Sequence, residues 1–297
     1  MIAYNYKIDF IPNLKNESLV PNSLKDTLTI EERHADNLPK ELQYEMVFTP
    51  SQGRELKLLS SHDFNDAWKE KIWLFEVKNV VTLFWKSGAE KLGYVKHKDF
   101  DETLLQYWAL HVVLPVYFII EDIYEFLHAG AVEIDDQPVL FIAKSFGGKS
   151  TMTDYFMKRG HTMISDDKVA TFEKEGKYYA VSSHPHNRPY RNMEDLGFFV
   201  ENFSTSLKPL KLMYLLEKAE PTATIEIALL SGVEKIMALR SAKEMNLFFP
   251  ESKQFEYLSN IAKQVSLFKV IVPRDLERLD EVYEVICEHN KSRLKKR

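Results

Sequence analysis

The sequence is poor in cysteine and has no excess of basic residues. Cys287 is the single cysteine among 297 residues, which excludes an internal disulfide and any cysteine-based zinc cluster. This usage suits a reducing compartment such as the cytosol. The formal net charge is −5 and the isoelectric point is near 6.0. These values argue against a general nucleic-acid binder, although they allow a local basic patch.

The chain also lacks a recognisable leader and a long apolar run. Its N-terminal segment has no basic stretch followed by an apolar one, so we expect no secretory signal. The most apolar segment, residues 108–120, is interrupted by His111 and Pro115 and is followed by Glu121. It is too short and too interrupted to span a bilayer, and we interpret it as a buried helix of a cytoplasmic protein. No internal repeat or low-complexity segment is present.

What the chain does contain is enough apolar sequence for a large core. Hydrophobic residues make up 45% of it, which predicts one large or two smaller domains. Residues 4–10 alternate with period two, and residues 71–85 predict a strand or a hairpin, with Lys78 and Asn79 as the turn of the hairpin. Residues 101–127 predict one or two helices, capped by Asp101 and kinked or broken at Pro115. We therefore predict a mixed, mostly β domain over residues 1–115 and a second domain over 116–297.

The second domain is predicted to alternate strands and helices. A hairpin at residues 131–143 turns at Asp135 and Asp136, and a helix over residues 150–158 is ended by Gly160. The further predicted strands are residues 162–165, 169–172, 178–183, 210–216, 224–230 and 267–272. The further predicted helices are residues 232–247 and 275–289. The order of elements indicates an α/β fold.

One segment in this domain matches a phosphate-binding loop. Residues 143–150, AKSFGGKS, fit that pattern with Ala143 in place of its first glycine, between a predicted strand and a predicted helix. The residues expected to contact a nucleotide are Lys144, Ser145, Phe146, Gly147, Gly148, Lys149, Ser150 and Thr151. The alternative is a β–α turn that contains glycine and an incidental lysine.

The residue types in this loop suit a chain of linked phosphates. Gly147 and Gly148 can adopt positive φ and leave room for backbone N–H groups to point at an anion. The helix N-terminus adds partial positive charge, and Lys149 adds a full charge near the β- and γ-phosphates. Ser150 supplies a hydroxyl suited to Mg²⁺. We therefore expect ATP or another nucleoside triphosphate, with Mg²⁺.

An acidic pair, Asp166 and Asp167, follows the predicted strand 162–165. In β–α–β order that strand can lie beside residues 139–143, which brings the pair to the edge of the sheet that carries the loop. Neighbouring residues on a strand point to opposite faces, so the carboxylates should have different roles. One could bear on Mg²⁺ and the other on an acceptor hydroxyl. The alternative is a solvated turn.

Other polar residues are weaker candidates. His128, taken alone, is most often a structural histidine. The segment 184–191 is dense in polar groups, and Arg188 or Arg191 could stabilise phosphoryl charge or hold an acidic or phosphorylated partner. His184 and His186 could suggest a metal, but no third ligand is evident. A plain surface loop explains this segment equally well.

Residues 128–172 resemble the catalytic domain of the HPr kinase/phosphorylase family. The features that carry the resemblance are, in this order, the histidine and small residues at 128–130, the loop, the RGH segment 159–161 and SDDKV at 165–169. Residues 268–282 and the N-terminal part more loosely resemble HPr-kinase-like proteins of bacterial biosynthetic clusters. The resemblance implies a P-loop kinase domain with a mixed sheet over 116–297, preceded by a smaller mixed α+β domain.

The resemblance also implies site roles and an activity. Asp166 would be the base for the acceptor hydroxyl, His128 its neighbour, and Ser150 with Asp167 would bear on Mg²⁺. Lasso-peptide precursor kinases are similar, so the expected acceptor is a serine-type hydroxyl on a peptide or small protein. The region after the acidic pair lacks the glycine-rich signature of the bifunctional enzymes, and the N-terminal region does not match that of the classical enzyme. The resemblance therefore leaves phosphorylase activity and HPr as substrate open. Members of the family are hexameric, which leaves a homo-oligomer open.

Two other functions remain open from the residues. One is a small-molecule kinase that acts on free serine or a sugar. The other is a nucleotide-dependent binding or sensor protein without phosphoryl transfer. Lys149, Ser150, Asp166 and Asp167 are all present, which argues against a site that has lost its chemistry.

Overall fold

The computed structural model describes residues 1–12, 26–51, 53–65, 70–144, 147–190, 192–243 and 251–294. Contacts divide the chain into two compact units. The first contains Met1–Ile123 and Tyr190–Phe198, and the second contains Tyr124–Pro189, Phe199–Asn246 and Glu251–Arg297. The boundary after residue 115 stays a prediction, and Ser145, Phe146 and Arg191 lie outside the described residues.

The first unit contains a single eight-stranded sheet among the residues described. Its strands are β1 (Ile2–Ala3), β2 (Tyr6–Ile11), β3 (Thr27–Glu32), β4 (Tyr44–Ser51), β5 (Arg54–Ser60), β6 (Ile72–Val77), β7 (Val81–Lys86) and β8 (Lys91–Lys96). They lie in the order β1-β2-β3-β8-β7-β6-β5-β4. The pairs β2–β3 and β3–β8 are parallel, and the remaining neighbours are antiparallel. The sheet is therefore mixed.

The predicted hairpin is confirmed as β6 and β7. The register pairs Val77 with Val81 next to the turn, and Asn79 adopts φ +67° within it. Asparagine tolerates this left-handed conformation better than most residues because its side chain can hydrogen-bond locally. The turn residues and the apolar alternation therefore both favour the observed hairpin.

A helical segment follows the sheet, made of α1 (Glu102–Trp108), a π-helical turn (Ala109–Val113) and α2 (Leu114–Ile120). Asp101 caps it, because its carboxylate accepts a hydrogen bond from the Thr103 N–H at 2.7 Å. The break expected as one alternative at Pro115 does not occur, because α1, the π-helical turn and α2 follow one another without a gap. The proline lies at the start of α2, directly after the π-helical turn, and the kink stays a prediction.

The same segment is long and apolar enough to cross a membrane by length and hydropathy, but 72% of its apolar window is buried inside the protein. Such burial is typical of a core helix. The prediction of helix as far as residue 127 is wrong, since α2 ends at Ile120. Asp122 adopts φ +57° and turns the chain.

The chain after residue 124 contains the remaining elements. Its helices are α3 (Lys149–Lys158), α4 (Gly232–Ala242), α5 (Glu251–Gln264) and α6 (Leu279–Leu294). Its strands are β9 (Glu125–His128), β10 (Gly130–Ile134), β11 (Gln137–Ile142), β12 (Met163–Ser165), β13 (Lys168–Lys174), β14 (Lys177–Val181), β15 (His186–Asn187), β16 (Phe198–Phe199), β17 (Lys208–Pro209), β18 (Leu212–Ala219), β19 (Ile227–Leu229) and β20 (Ser266–Pro273).

The second unit is layered around a six-stranded mixed sheet with the order β12-β10-β11-β18-β20-β19. Strands β11, β18 and β20 are parallel, whereas β10, β12 and β19 are joined by antiparallel pairs. Apolar residues of α3 and α6 cover one face. Those of α4, α5 and a four-stranded sheet, β17-β14-β13-β9, cover the other. The predicted mixed α/β class is confirmed.

The position of β12 differs from the prediction. It does not lie beside β11 but pairs with β10, which separates the two strands. Because β10 is antiparallel to both, β12 still runs parallel to β11. The carboxyl ends of β11 and β12 therefore lie at the same edge of the sheet, so the loop after β11 and the acidic pair after β12 are both at that edge.

Candidate active site

The loop between β11 and α3 consists of residues 143–148. Strand β11 ends at Ile142 and α3 begins at Lys149. Within the loop, the Gly147 N–H donates to the Lys144 carbonyl at 2.8 Å. Gly148 adopts φ +95° and immediately precedes α3. A strand, a glycine turn and a helix thus follow each other as the sequence predicts.

The two glycines are required for different reasons. A Cβ on Gly147 would lie 2.5 Å from the Cβ of Ala143 and 2.6 Å from the carbonyl oxygen of Lys144, so the loop is too tight there for a side chain. At Gly148 the space is open enough, with the nearest atom 3.6 Å away, but its positive φ disfavours any L side chain. Glycine is needed at position 147 because a side chain does not fit there, and at position 148 because the backbone has positive φ.

Lys149 is buried at the start of α3, with 6% of its surface exposed. Its Nζ donates to the carbonyl oxygen of Ala143 at 3.3 Å, across the loop. Ser150 is half-buried in the first turn, while Lys144 and Thr151 are exposed. The loop therefore collects a helix N-terminus and an ammonium group at one sheet edge.

The segment 128–130 packs directly against this helix. A Cβ on Gly130 would overlap Thr153 Oγ1 and lie 3.5 Å from the Lys149 carbonyl oxygen. Thr153 Oγ1 in turn donates to that carbonyl at 3.0 Å. Glycine is therefore needed at position 130 so that β10 can approach the first turns of α3.

The acidic pair follows the end of β12. Asp166 is buried, with 4% of its surface exposed, and its Oδ2 accepts a hydrogen bond from the backbone N–H of Arg188 at 2.9 Å. Ser165 holds the turn, because its hydroxyl donates to the Lys168 carbonyl at 2.8 Å. Asp166 is therefore not part of a freely solvated turn.

Asp167 has a different partner. Its Oδ1 lies 3.2 Å from Nδ1 of His128, and its carbonyl accepts from the Ala129 N–H at 3.0 Å. The register of β9 and β13 aligns His128 with Lys168, which brings His128 next to the preceding residue, Asp167. His128 and Asp167 keep partial solvent exposure, with 31% and 17% of their side chains accessible. The two carboxylates thus differ in both partners and exposure.

The segment after β14 lies beside the acidic pair. The Ser183 N–H donates to the Ile164 carbonyl at 3.1 Å, which places the segment along β12. His184, His186 and Arg188 are all buried, so a plain surface loop is the wrong description for them. Burial lowers the pKa of His184 well below its usual value, assisted by His186 and Arg188 and opposed by Asp167. Burial likewise lowers the pKa of His186 to about 4.

The metal suggested by the two histidines gains no support. Over the described ranges, no group of three or more His, Cys, Asp or Glu side chains is arranged to hold an ion. A Mg²⁺ ion that uses one protein carboxylate, a hydroxyl, phosphate oxygens and water needs no such group. Ser150 and the acidic pair remain compatible with that kind of site.

The RGH segment stabilises the domain rather than the site edge. Arg159 pairs with Asp280 of α6, and His161 bonds to the Glu133 carbonyl and to the Tyr283 hydroxyl at 2.8 and 3.0 Å. These contacts tie the C-terminal end of α3 to α6 and β10.

Sequence reasoning missed Lys218. This lysine lies near the end of β18, and its Cε is 3.6 Å from the position that a Cβ on Gly148 would take. The signal available in the sequence was a lysine at the end of an apolar strand, which is too common to single out.

Comparisons with known proteins do not identify a family for this chain. No family model matches the chain, and no curated protein matches it. One similar solved structure is the Hpr(Ser) kinase/phosphatase from Coxiella burnetii. It has a TM-score of 0.32 and 13% sequence identity, and the match covers 58% of this chain and 99% of that one. At this TM-score the likeness is too distant to support an inference about function.

Proposed function

We propose that this chain is an ATP- and Mg²⁺-dependent kinase that transfers the γ-phosphate to a serine-type hydroxyl on a peptide or small protein. The observation that carries the proposal is a single sheet edge that holds both the loop before α3 and the acidic pair after β12. Gly130 contacts the first turns of α3, and the next residue, Ala131, is in register with Ser165. The loop and the acidic pair are thus joined through two residues of β10.

The nucleotide half of the proposal rests on the loop. Backbone N–H groups at the start of α3 and the Lys149 ammonium supply positive charge for the β- and γ-phosphates. Lys149 donates a hydrogen bond to the Ala143 carbonyl. When a nucleotide binds, a negatively charged phosphate oxygen would replace this neutral carbonyl as the acceptor. Charge-assisted hydrogen bonds are about twice as strong as neutral ones.

The acceptor half rests on the more accessible carboxylate. We assign to Asp167 the role of the base that accepts the proton of the attacking hydroxyl. His128 would orient the Asp167 carboxylate. The hydroxyl oxygen forms a bond to the γ-phosphorus, the bond from that phosphorus to the β–γ bridging oxygen breaks, and ADP leaves. Asp166, which is buried beneath the Arg188 N–H, would instead hold the 184–188 segment in position. This split differs from the one implied by family resemblance.

A magnesium ion would neutralise charge on the β- and γ-oxygens. Ser150 is the protein group of suitable chemistry that this assignment leaves for the ion, and phosphate oxygens and water would complete the site. The acceptor class is supported by the resemblance in residues 128–172 to kinases that act on serine. Phosphoryl transfer of this kind needs positioning and charge stabilisation more than covalent catalysis, which is what such a polar edge can provide.

The test is transfer from γ-labelled ATP with Mg²⁺ to a library of serine-containing peptides, with free serine and sugars as parallel acceptors. Products are identified by mass spectrometry. We expect a phosphorylated peptide with the wild-type chain and none with Lys149→Met. Lys158→Met is the matched control, because Lys158 lies on the same helix and is exposed in an ion pair with Asp154. Full activity of Lys149→Met, or absence of any nucleotide binding by the wild type, would refute the proposal.

A further inference from the structure

Lys218 approaches the loop from the neighbouring strand. Its Cε lies 3.6 Å from the Cβ position of Gly148, an ordinary van der Waals distance. Gly148 has no side chain to occupy that direction, so the lysine stem covers the glycine directly. A second lysine therefore lies at the same turn as Lys149.

Strand register explains this position. Strand β18 lies beside β11 in parallel, and Ile142, the last residue of β11, is in register with Leu215. Lys218 therefore extends past the end of β11 to the level of the loop. It is also in phase with Tyr214 and Leu216, which pack on the same side of the sheet as α3. Because strand residues alternate between faces, Lys218 projects on the side of α3.

Among the residues that the structure describes, no ion pair joins Lys218 to a carboxylate, and the ion pair near this strand end joins Glu217 to Lys269 at 3.7 Å. Glu217 precedes Lys218 and so projects to the other face. Two lysines at one glycine turn repel each other unless an anion lies between them. The arrangement suits a ligand with more than one negative charge.

We propose that Lys218 is a second phosphate-binding cation of this site, which favours nucleoside di- and triphosphates over monophosphates. This inference rests on the proposed function and adds a residue to it. Lys149 approaches from the helix side and Lys218 from the β18 side, so the phosphate chain would be held between them. A long, flexible lysine suits this role because its ammonium can follow a point charge without a fixed geometry.

The experiment measures binding of Mg-ATP, Mg-ADP and AMP by titration calorimetry for the wild type and three variants. Lys218→Met removes the charge and keeps the stem, and Lys218→Arg keeps the charge. Lys211→Met is the control, since Lys211 directly precedes β18 at the opposite sheet edge. We expect Lys218→Met to weaken ATP and ADP binding about tenfold and AMP binding less than twofold, roughly the effect of losing one partly screened ionic hydrogen bond.

Lys218→Arg should recover most of the ATP affinity, and Lys211→Met should match the wild type. The dissociation constant of the wild type should also rise more steeply with salt than that of Lys218→Met, because one ionic contact is missing in the variant. If the wild type binds ATP and Lys218→Met binds it equally well, the role of Lys218 is refuted while the kinase proposal stands. If the wild type binds no nucleotide, both proposals are refuted.

Discussion

Nδ1 of His128 lies 3.2 Å from Oδ1 of Asp167, while the adjacent Asp166 accepts a hydrogen bond from the Arg188 backbone. Neighbouring carboxylates are thereby separated into an accessible histidine-paired group and a buried group that holds a segment of main chain. Both aspartates lie in the turn between β12 and β13, where their carboxylates face different partners. This separation leads directly to different expectations for the two aspartates.

Asp167→Asn should lower the turnover of phosphoryl transfer by roughly 10²–10⁴-fold, the usual contribution of a positioned general base. The dissociation constant for Mg-ATP should change less than about threefold, since the loop is untouched. Comparison of turnover with calorimetric affinity checks this. A loss confined to affinity would instead make Asp167 a metal or nucleotide ligand.

Asp166→Asn should act on stability more than on chemistry. The change weakens a buried charge-assisted hydrogen bond to the Arg188 N–H, at a cost of about 1–3 kcal/mol in the free energy of unfolding. Urea denaturation of the variant beside Asp167→Asn measures the difference. Wild-type stability combined with the larger loss of turnover would return the role of base to Asp166.

Gly147→Ala should abolish high-affinity nucleotide binding. A methyl group there meets Ala143 Cβ at 2.5 Å and the Lys144 carbonyl at 2.6 Å, and a backbone atom cannot move aside without reshaping the loop. Gly176→Ala is the control, because a methyl group on Gly176 meets open space, although its positive φ carries a backbone cost that Gly147 does not share. That control should lose about 1 kcal/mol of stability and keep full ATP affinity, as calorimetry can show.

Gly130→Ala should destabilise the second unit by about 1–3 kcal/mol through overpacking against Thr153. The obstacle is a side-chain oxygen, so Thr153→Ala should relieve part of the strain. A double-mutant cycle on the free energy of unfolding is expected to give a favourable coupling of about 0.5–3 kcal/mol. Strictly additive effects would show that β10 does not press on α3 at this point.

The stability of the folded chain should decrease between pH 7 and pH 5. Burial lowers the pKa of His186 from 6.5 to about 4, so the folded state keeps this imidazole neutral while the unfolded state binds a proton. The stabilisation is full above pH 6.5 and is lost as the pH falls toward 4. Linkage predicts a loss of about 2 kcal/mol by pH 5.

His186→Gln should remove that part of the pH dependence. Urea denaturation at pH 7 and pH 5 compares the two proteins. An equal loss of stability in wild type and variant would show that His186 does not contribute. His184 should add a slope of the same sign, because burial also lowers its pKa.

Local features were predictable from the sequence. The hairpin of β10 and β11 follows from alternating apolar residues around Asp135 and Asp136, both of which adopt positive φ in the turn. Helix α3 and its stop at Gly160, with φ +91°, follow from helix propensity and a C-terminal glycine. Residues close in the chain determine such structures, since the turn, the cap and the periodicity all lie within one window.

Long-range pairing decided the rest. Strand β9 was predicted as helix, but its residues pair with β13 some forty positions away in register. Helix α5 was not predicted at all. Lys218 became a candidate only because β18 lies beside β11.

The sequence by itself thus determined the locally specified elements, such as the hairpins β6–β7 and β10–β11, helix α3 and the glycine turn before it. Only the tertiary structure decided which strands are neighbours, and so which charged groups meet at one edge. The physical reason is that strand partners are selected by packing of the whole sheet, which a local pattern does not encode.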